Sequence, residues 1–234
     1  MDQARLMTAR TMTARTMTDR VPQPPLLLVT DRRQAVRPLQ AVVTAAVSAG
    51  CRWVSVREKD LPVDEQILLA RSLLPLLAEQ RGKLLLHGEA SLARDAGVDG
   101  VHLPAGRDAA AARALLGREK ILGVSIHTVT EAEAIDPGLV DYALAGPAFE
   151  TPSKPDYGPE IGRKGLADIA QASRVPVLAI GGINAARIAE VLASGAAGVA
   201  VMGGVMRAGD AAGEVRALLA SLNGGLAMRT QRAR

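Results

Sequence analysis

Aromatic side chains make up only 2% of this 234-residue chain: one Trp, one Phe and two Tyr. The core of a chain this long must then be assembled from Ala, Val, Leu and Ile, which the 48% hydrophobic content supplies amply. Cysteine is scarcer still. Cys51 stands alone, which excludes an internal disulfide and a cysteine-rich metal centre and is in keeping with a reducing, cytoplasmic location. Beside Trp53-Val54 it reads as a small core residue. No apolar run approaches the roughly 18 residues of a membrane span, so a soluble protein with no membrane partner is expected. No Gly-x-Gly-x-x-Gly follows the first strand-like run, where Thr30-Asp31-Arg32-Arg33 stands. The net charge of +4 has no basic face behind it. Residues 1–23 carry four Arg against two Asp and residues 223–234 carry three Arg, so the body between them is slightly acidic, which argues against nucleic acid as a partner.

What the chain does have is a repeated pattern of short apolar run, glycine, helix. Val177-Leu178-Ala179-Ile180-Gly181-Gly182-Ile183 is the clearest instance, and Val199-Ala200-Val201-Met202-Gly203-Gly204 follows it. A parallel strand that ends in bare glycine backbone before a helix is suited to cradling phosphate. The same alternation runs through the whole chain. Strands are expected at 26–30, 53–56, 83–86, 100–103, 121–124, 142–145, 177–180 and 198–202. Helical patterns occupy 38–48, 63–80, 109–116, 129–134, 166–172, 185–193 and 211–222, the second interrupted by Pro75, which predicts a kink or an early end. Eight continuous apolar strands separated by helices predict an α/β fold, a closed (β/α)8 TIM barrel, with an open doubly wound sheet as the second choice. The expected organisation is one phosphate-binding barrel domain over 23–223. A disordered extension precedes it at 1–22, where Met-Thr-Ala-Arg and close variants repeat, and a flexible tail follows at 224–234.

In such a barrel the chemistry sits just past the strand ends. Arg57 and Lys59 follow the second strand at alternate positions and can both point into the mouth to meet an anion; a solvated loop of mixed charge is the other reading. His127 ends the run Gly123-Val124-Ser125-Ile126-His127-Thr128 and is the candidate acid/base, against the common case of a structural histidine. His87 also ends a strand, whereas His102 lies inside Val101-His102-Leu103, where a packed, hydrogen-bonded imidazole is the usual outcome. The polar loop 146–158 offers Thr151, Ser153 and Lys154 to a phosphate or as a cover over substrate, with a plain surface loop as its alternative. Gly181, Gly182, Met202 and Gly203 mark the phosphate site expected after strands seven and eight; tight helix packing would explain the glycines equally.

Taken together, Leu28-Val29-Thr30-Asp31, Val56-Arg57-Glu58-Lys59, Asp99-Gly100-Val101-His102-Leu103, Leu122-Gly123-Val124-Ser125-Ile126-His127-Thr128, Asp141-Tyr142, Thr151-Pro152-Ser153-Lys154 and Ala179-Ile180-Gly181-Gly182-Ile183 resemble the thiamine-phosphate synthase/TenI superfamily in order and spacing. The resemblance covers nearly everything from Leu26 to Leu222. Synthases of this superfamily join a pyrimidine diphosphate to a thiazole phosphate and use Mg²⁺ on the departing pyrophosphate. The chain departs from the synthase pattern at three places. His87-Gly88-Glu89 stands for Asn-Asp-Arg after the third strand, Arg107 for an Asp after the fourth, and Ser55 for the Gln of Gln-x-Arg-x-Lys.

Two lost carboxylates weaken a magnesium site, and the same departures are similar to the TenI-type thiazole tautomerases. The resemblance therefore implies an isomerase of thiamine biosynthesis, a thiazole tautomerase that turns a carboxythiazole phosphate into its aromatic tautomer without a cofactor. In it His127 would move the proton, while Arg57, Lys59, His87, Ser125, Thr151, Ser153 and Lys154 would hold substrate. Against this, Thr151-Pro152-Ser153-Lys154 is closer to the synthase loop. A Mg²⁺-dependent thiamine-phosphate synthase is thus the second expectation, and a non-catalytic thiazole phosphate-binding protein the third. The superfamily also leaves a homodimer open.

Overall fold

The computed structural model describes residues 21–151 and 160–232. Eight parallel strands close into a barrel in the order β1 to β8, with β8 returning to pair with β1. They are β1 Leu26–Val29, β2 Trp53–Val56, β3 Lys83–His87, β4 Gly100–Leu103, β5 Ile121–Ile126, β6 Tyr142–Ala145, β7 Val177–Ile180 and β8 Gly198–Val201. Almost every residue in them is buried. Each strand is covered on both faces, by the barrel interior and by a helix, so unbroken apolar runs are what the architecture requires. The helices are α1 Leu39–Ser48, α2 Val63–Glu79, α3 Ala90–Ala96, α4 Ala109–Leu116, α5 Val129–Glu133, α6 Gly162–Ala172, α7 Ile188–Ala193, α8 Gly203–Met206 and α9 Ala211–Arg232, with a 3₁₀ turn at Ala185–Arg187 before α7. Among the described residues no helix is long and apolar enough to cross a membrane.

Two layers of apolar packing result. The larger lies between strands and helices and includes Leu28, Val54, Leu86, Val101, Ala179 and Val199 together with the inner faces of α1, α2, α7 and α9. Cys51 belongs to it, and burial lifts its thiol pKa to about 11, which keeps it protonated. The smaller fills the barrel: Leu27, Val29, Leu85, Ile121, Leu144, Leu178 and Ala200 surround Trp53 and Tyr142. The rings of Trp53 and Tyr142 meet edge to face with centroids 4.7 Å apart. The scarce aromatics are thus spent where one large side chain fills the space of several aliphatic ones.

Several sequence boundaries shift. The chain packs from Val21, two residues before the expected domain start, because this side chain joins the interior cluster. The last helix does not stop at Leu222 but continues to Arg232, so residues 224–232 continue the fold rather than leave it. Gly224-Gly225 reads locally as a helix stop. In space, a Cβ on Gly225 would lie 2.5 Å from Leu192 Cδ1, so this glycine lets α9 approach α7. Arg229 then donates to the Ala196 carbonyl at 2.6 Å. Pro75 neither ends nor interrupts α2. The short helices α3 and α8 were not expected, since four to seven residues show too little periodicity to read.

Below the strands, at the end opposite the mouth, Arg113 of α4 ties three connections together. It donates to the carbonyls of Leu139 (2.9 Å), Gly117 (2.8 Å) and Lys120 (2.6 Å) and pairs with Asp141 at 2.7 Å. Asp141 also accepts from the Leu122 amide at 2.8 Å. Both side chains are buried, so removing one strands the other's charge and leaves the carbonyls unpaired. Arg113→Ala is expected to cost about 3–5 kcal/mol, read from urea unfolding midpoints at constant m-value; a loss within experimental error would show that the pair is not holding the barrel floor.

Candidate functional site

At the C-terminal ends of the strands lies a cavity of about 410 Å³. The strands aim residues into it through their two-residue period: Val29 from β1, His87 from β3, Ser125 from β5, Leu144 from β6, Ile180 from β7 and Ala200 from β8. Of the residues expected from sequence, Arg57, Lys59, His87, Ser125, His127, Thr151, Gly181, Gly182, Met202 and Gly203 all line it. Ser153 and Lys154 lie outside the described residues.

Arg57 and Lys59 both line the cavity, and the residue between them faces away from it to hold them there. Glu58 is buried and accepts from Thr30 Oγ1 at 2.7 Å and from the Arg32 amide at 3.0 and 3.1 Å. Thr30 Oγ1 in turn accepts the Arg57 amide at 2.9 Å. The solvated-loop reading fails for this reason: a single carboxylate clips the ends of β1 and β2 together and fixes the backbone from which both cations project. Burial raises the pKa of Glu58, although its hydrogen bonds from Thr30 and Arg32 pull the other way. Lys59 is held below the pKa of an ordinary lysine by desolvation and by the neighbouring Arg57.

Further round the mouth, past β1, the ends of β8 and β7 deliver more than glycine. Gly182 has φ +65°, and a Cβ there would lie 2.5 Å from the Glu150 carbonyl and 2.8 Å from Phe149 Cβ, so the turn after β7 needs glycine on both counts. That turn is clipped to the loop after β6 by the Ala148 amide on the Ile180 carbonyl (2.8 Å) and the Phe149 amide on the Gly181 carbonyl (3.1 Å). Arg187 lies over the Phe149 ring at 4.5 Å and donates to the Gly182 carbonyl at 3.0 Å, which holds its guanidinium at the cavity edge. After β8, Gly203 and Gly204 open α8 and line the same space, while the Val205 and Met206 amides bond to the Met202 carbonyl at 3.1 and 2.9 Å. Arg207 closes this side and donates to Gln34 Oε1, while Gln34 donates to Asp31 at 2.6 Å. Sequence reasoning missed Arg187 and Arg207. The one available signal was an arginine a few residues past each double glycine.

His127 is fastened by its surroundings. Its amide donates to Glu131 Oε2 at 2.6 Å within a capping box that starts α5 at Thr128. Its Nδ1 lies 2.5 Å from the Gly146 carbonyl, which can only accept, so Nδ1 carries the proton.

Among the described residues the cavity offers few carboxylates. Glu150 is the one that lines it. Glu89 is ion-paired with Arg107, Asp108 caps α4 by accepting the Ala111 amide at 2.9 Å, and no three His, Cys, Asp or Glu side chains cluster among the described residues. Instead Arg57, Lys59, Arg187 and Arg207 bring positive charge to the rim, where it can neutralise a ligand carrying one or more phosphates.

Comparison with known proteins agrees on one family. The sequence profile described as thiamine monophosphate synthase matches residues 26–205. The chain is 42% identical over 196 residues to thiamine-phosphate synthase of Roseiflexus sp. strain RS-1, covering 82% of each. It is 36% identical over 195 residues to the enzyme of that name from Moorella thermoacetica, covering 82% of this chain and 92% of that one. Among solved structures, thiamine phosphate pyrophosphorylase from Pyrococcus furiosus superposes with a TM-score of 0.76 at 30% identity, over 86% of this chain and 96% of that one. These relatives overturn the expectation of a thiazole tautomerase, an isomerase, and with it the place of His127 as that reaction's proton carrier. The expectation rested on carboxylates missing at two strand ends. The likeness to synthases extends over almost the whole barrel.

The state of Lys59 makes anion binding pH-dependent. An anion favours its charged form, so affinity is full while the free ammonium is protonated and is lost as pH rises through its depressed pKa. Inorganic pyrophosphate titrated calorimetrically should therefore bind more weakly from a pH below the 10.5 of an ordinary lysine. Lys59→Arg should push that decline to higher pH; an unchanged profile in this variant would assign the effect elsewhere.

Proposed function

Because this chain belongs to the thiamine monophosphate synthase family, we propose that it joins a pyrimidine bearing a diphosphate leaving group to a thiazole phosphate, forming thiamine phosphate and pyrophosphate. The observation that carries this reading is identity of 36–42% with synthases along four fifths of the chain, on a barrel whose mouth gathers four cations. In the reaction the C–O bond between the pyrimidine methylene and the diphosphate breaks, and its electron pair leaves with the diphosphate oxygen. The thiazole nitrogen lone pair forms the new C–N bond, so the product ring becomes a thiazolium cation.

The energetic demand is charge on the departing diphosphate. Arg57 and Lys59 are preorganised for it by the Glu58–Thr30 clip and need not reorient as charge develops. The thiazole phosphate belongs at the other rim, on the backbone of Gly181-Gly182 and Gly203-Gly204 with Arg187 and Arg207 beside it. Two anionic groups held at separate positive rims place the reacting nitrogen and carbon between them, over the apolar floor of Leu144, Ile180 and Ala200. Water is kept from the electrophilic carbon by the same floor. With Glu150 the one cavity carboxylate among the described residues and four cations beside it, the positive charge in this reading is assigned to the side chains.

Both precursors mixed with the purified protein should give thiamine phosphate by mass spectrometry, in EDTA as well as with magnesium. No product under either condition would sink the coupling reaction. Product with magnesium alone would keep the reaction but remove the side chains as sufficient neutralisers. Arg57→Met is expected to lower kcat by about 10²–10³-fold, the usual loss when one preorganised donor to a developing anion is removed, with far-UV circular dichroism unchanged.

A further inference from the structure

One hydrogen-bonded line of side chains crosses the mainly apolar barrel interior. Tyr142 on β6 places its hydroxyl 2.9 Å from Nδ1 of His102 on β4, and Nε2 of the same imidazole lies 2.9 Å from Oγ of Ser125 on β5. Tyr142 and His102 are fully buried, whereas Ser125 lines the cavity. The phenol reaches β4 by crossing β5, where Gly123 sits. A Cβ on Gly123 would be 2.1 Å from the Tyr142 Cζ and 2.5 Å from its oxygen, so no other residue lets the ring lie there.

The direction of this chain follows from counting protons. Burial lowers the His102 pKa to about 3 and raises that of Tyr142 well above its usual value, so both are neutral and the imidazole carries one N–H. Two arrangements are then available. If Nδ1 carried the proton and donated to the phenol oxygen, the phenol's own proton would be buried with no acceptor, because His102 is its hydrogen-bond partner among the described residues. A buried unsatisfied donor costs about 1–3 kcal/mol. If the phenol donates to Nδ1, Nε2–H donates to Ser125 Oγ and both protons of the Tyr142–His102 pair are used. With one of its two lone pairs so engaged, the Ser125 hydroxyl has its proton left for the cavity.

We propose that Tyr142 and His102 are positioning residues that fix Ser125 as a hydrogen-bond donor into the cavity, so that its proton is presented there to an anionic phosphate or diphosphate oxygen. Neither residue touches the ligand. The direction of the chain stands on the interior geometry, and only the identity of the acceptor rests on the function proposed above. A neutral relay also holds its direction across the pH range in which exposed histidines titrate.

The test reads the imidazole directly. The chain has three histidines, and in protein labelled with ¹⁵N-histidine the His102 resonances should show a protonated Nε2 and a bare Nδ1, unchanged from about pH 5 to 9. A protonated Nδ1, or an imidazolium titrating in that range, overturns the proposal. Tyr142→Phe keeps the ring and its packing while removing the donor. Ser125→Ala and Tyr142→Phe should each weaken inorganic pyrophosphate binding about 5-fold, one neutral hydrogen bond's worth, and the double variant should bind no more weakly than Ser125→Ala alone. Losses that multiply in the double variant, or an unaltered affinity in Tyr142→Phe, would equally overturn it. None of these readouts requires turnover, so a failed coupling assay would leave them standing.

Discussion

Positive charge gathered at an apolar mouth is the constraint on which the rest of the site depends. Arg57 and Lys59 project from one strand end close enough for the arginine to depress the lysine's pKa, and Arg187 and Arg207 face the same cavity. Such an arrangement repels itself until an anion arrives, and it persists because other parts of the fold hold each member in place. Glu58 is withdrawn beneath the strand ends to clip β1 to β2 rather than neutralise its neighbours. Arg187 is held by an aromatic face and a carbonyl, and Arg207 by Gln34. Glu150 shares the cavity with these cations, while other carboxylates nearby are engaged elsewhere: Glu89 with Arg107, Asp31 with Gln34, Asp108 at a helix cap.

The barrel supports this mouth from below in two ways. Trp53 and Tyr142 fill the interior with rigid rings, so the floor of the cavity is close-packed. The Tyr142–His102–Ser125 chain carries a polar connection through that floor, and so the interior and the cavity wall are set by the same groups. At the far end Arg113 and Asp141 close the loops between strands, out of reach of the chemistry. Packing, polarity and charge are thereby divided among floor, wall and rim.

Much of this was legible in the chain. Eight apolar runs at the observed positions, the strand-ending glycines, and the cationic pair around Glu58 all follow from patterns within a few residues. The functional choice between isomerase and synthase was misjudged from two positions, His87-Gly88-Glu89 and Arg107. Those positions lie within short stretches of chain, whereas the likeness that decides for a synthase runs over 196 residues. Gly224-Gly225 misled in the same manner, since a double glycine that stops a helix in isolation can instead let two helices touch.

By itself, then, the sequence determined the number and order of strands, the closed parallel architecture and the strand-ending glycines that line the cavity, because hydrophobic period and glycine turns act over short stretches of chain. Only the tertiary structure decided which charges share the mouth, that Glu58 is a clamp, that Glu89 is spent on Arg107, and that His102 stands between Tyr142 and Ser125. Each of these joins residues on different strands or loops, as when Arg207 meets Gln34. Such meetings are fixed by closure of the barrel, a property of all eight strands together and of none of them alone.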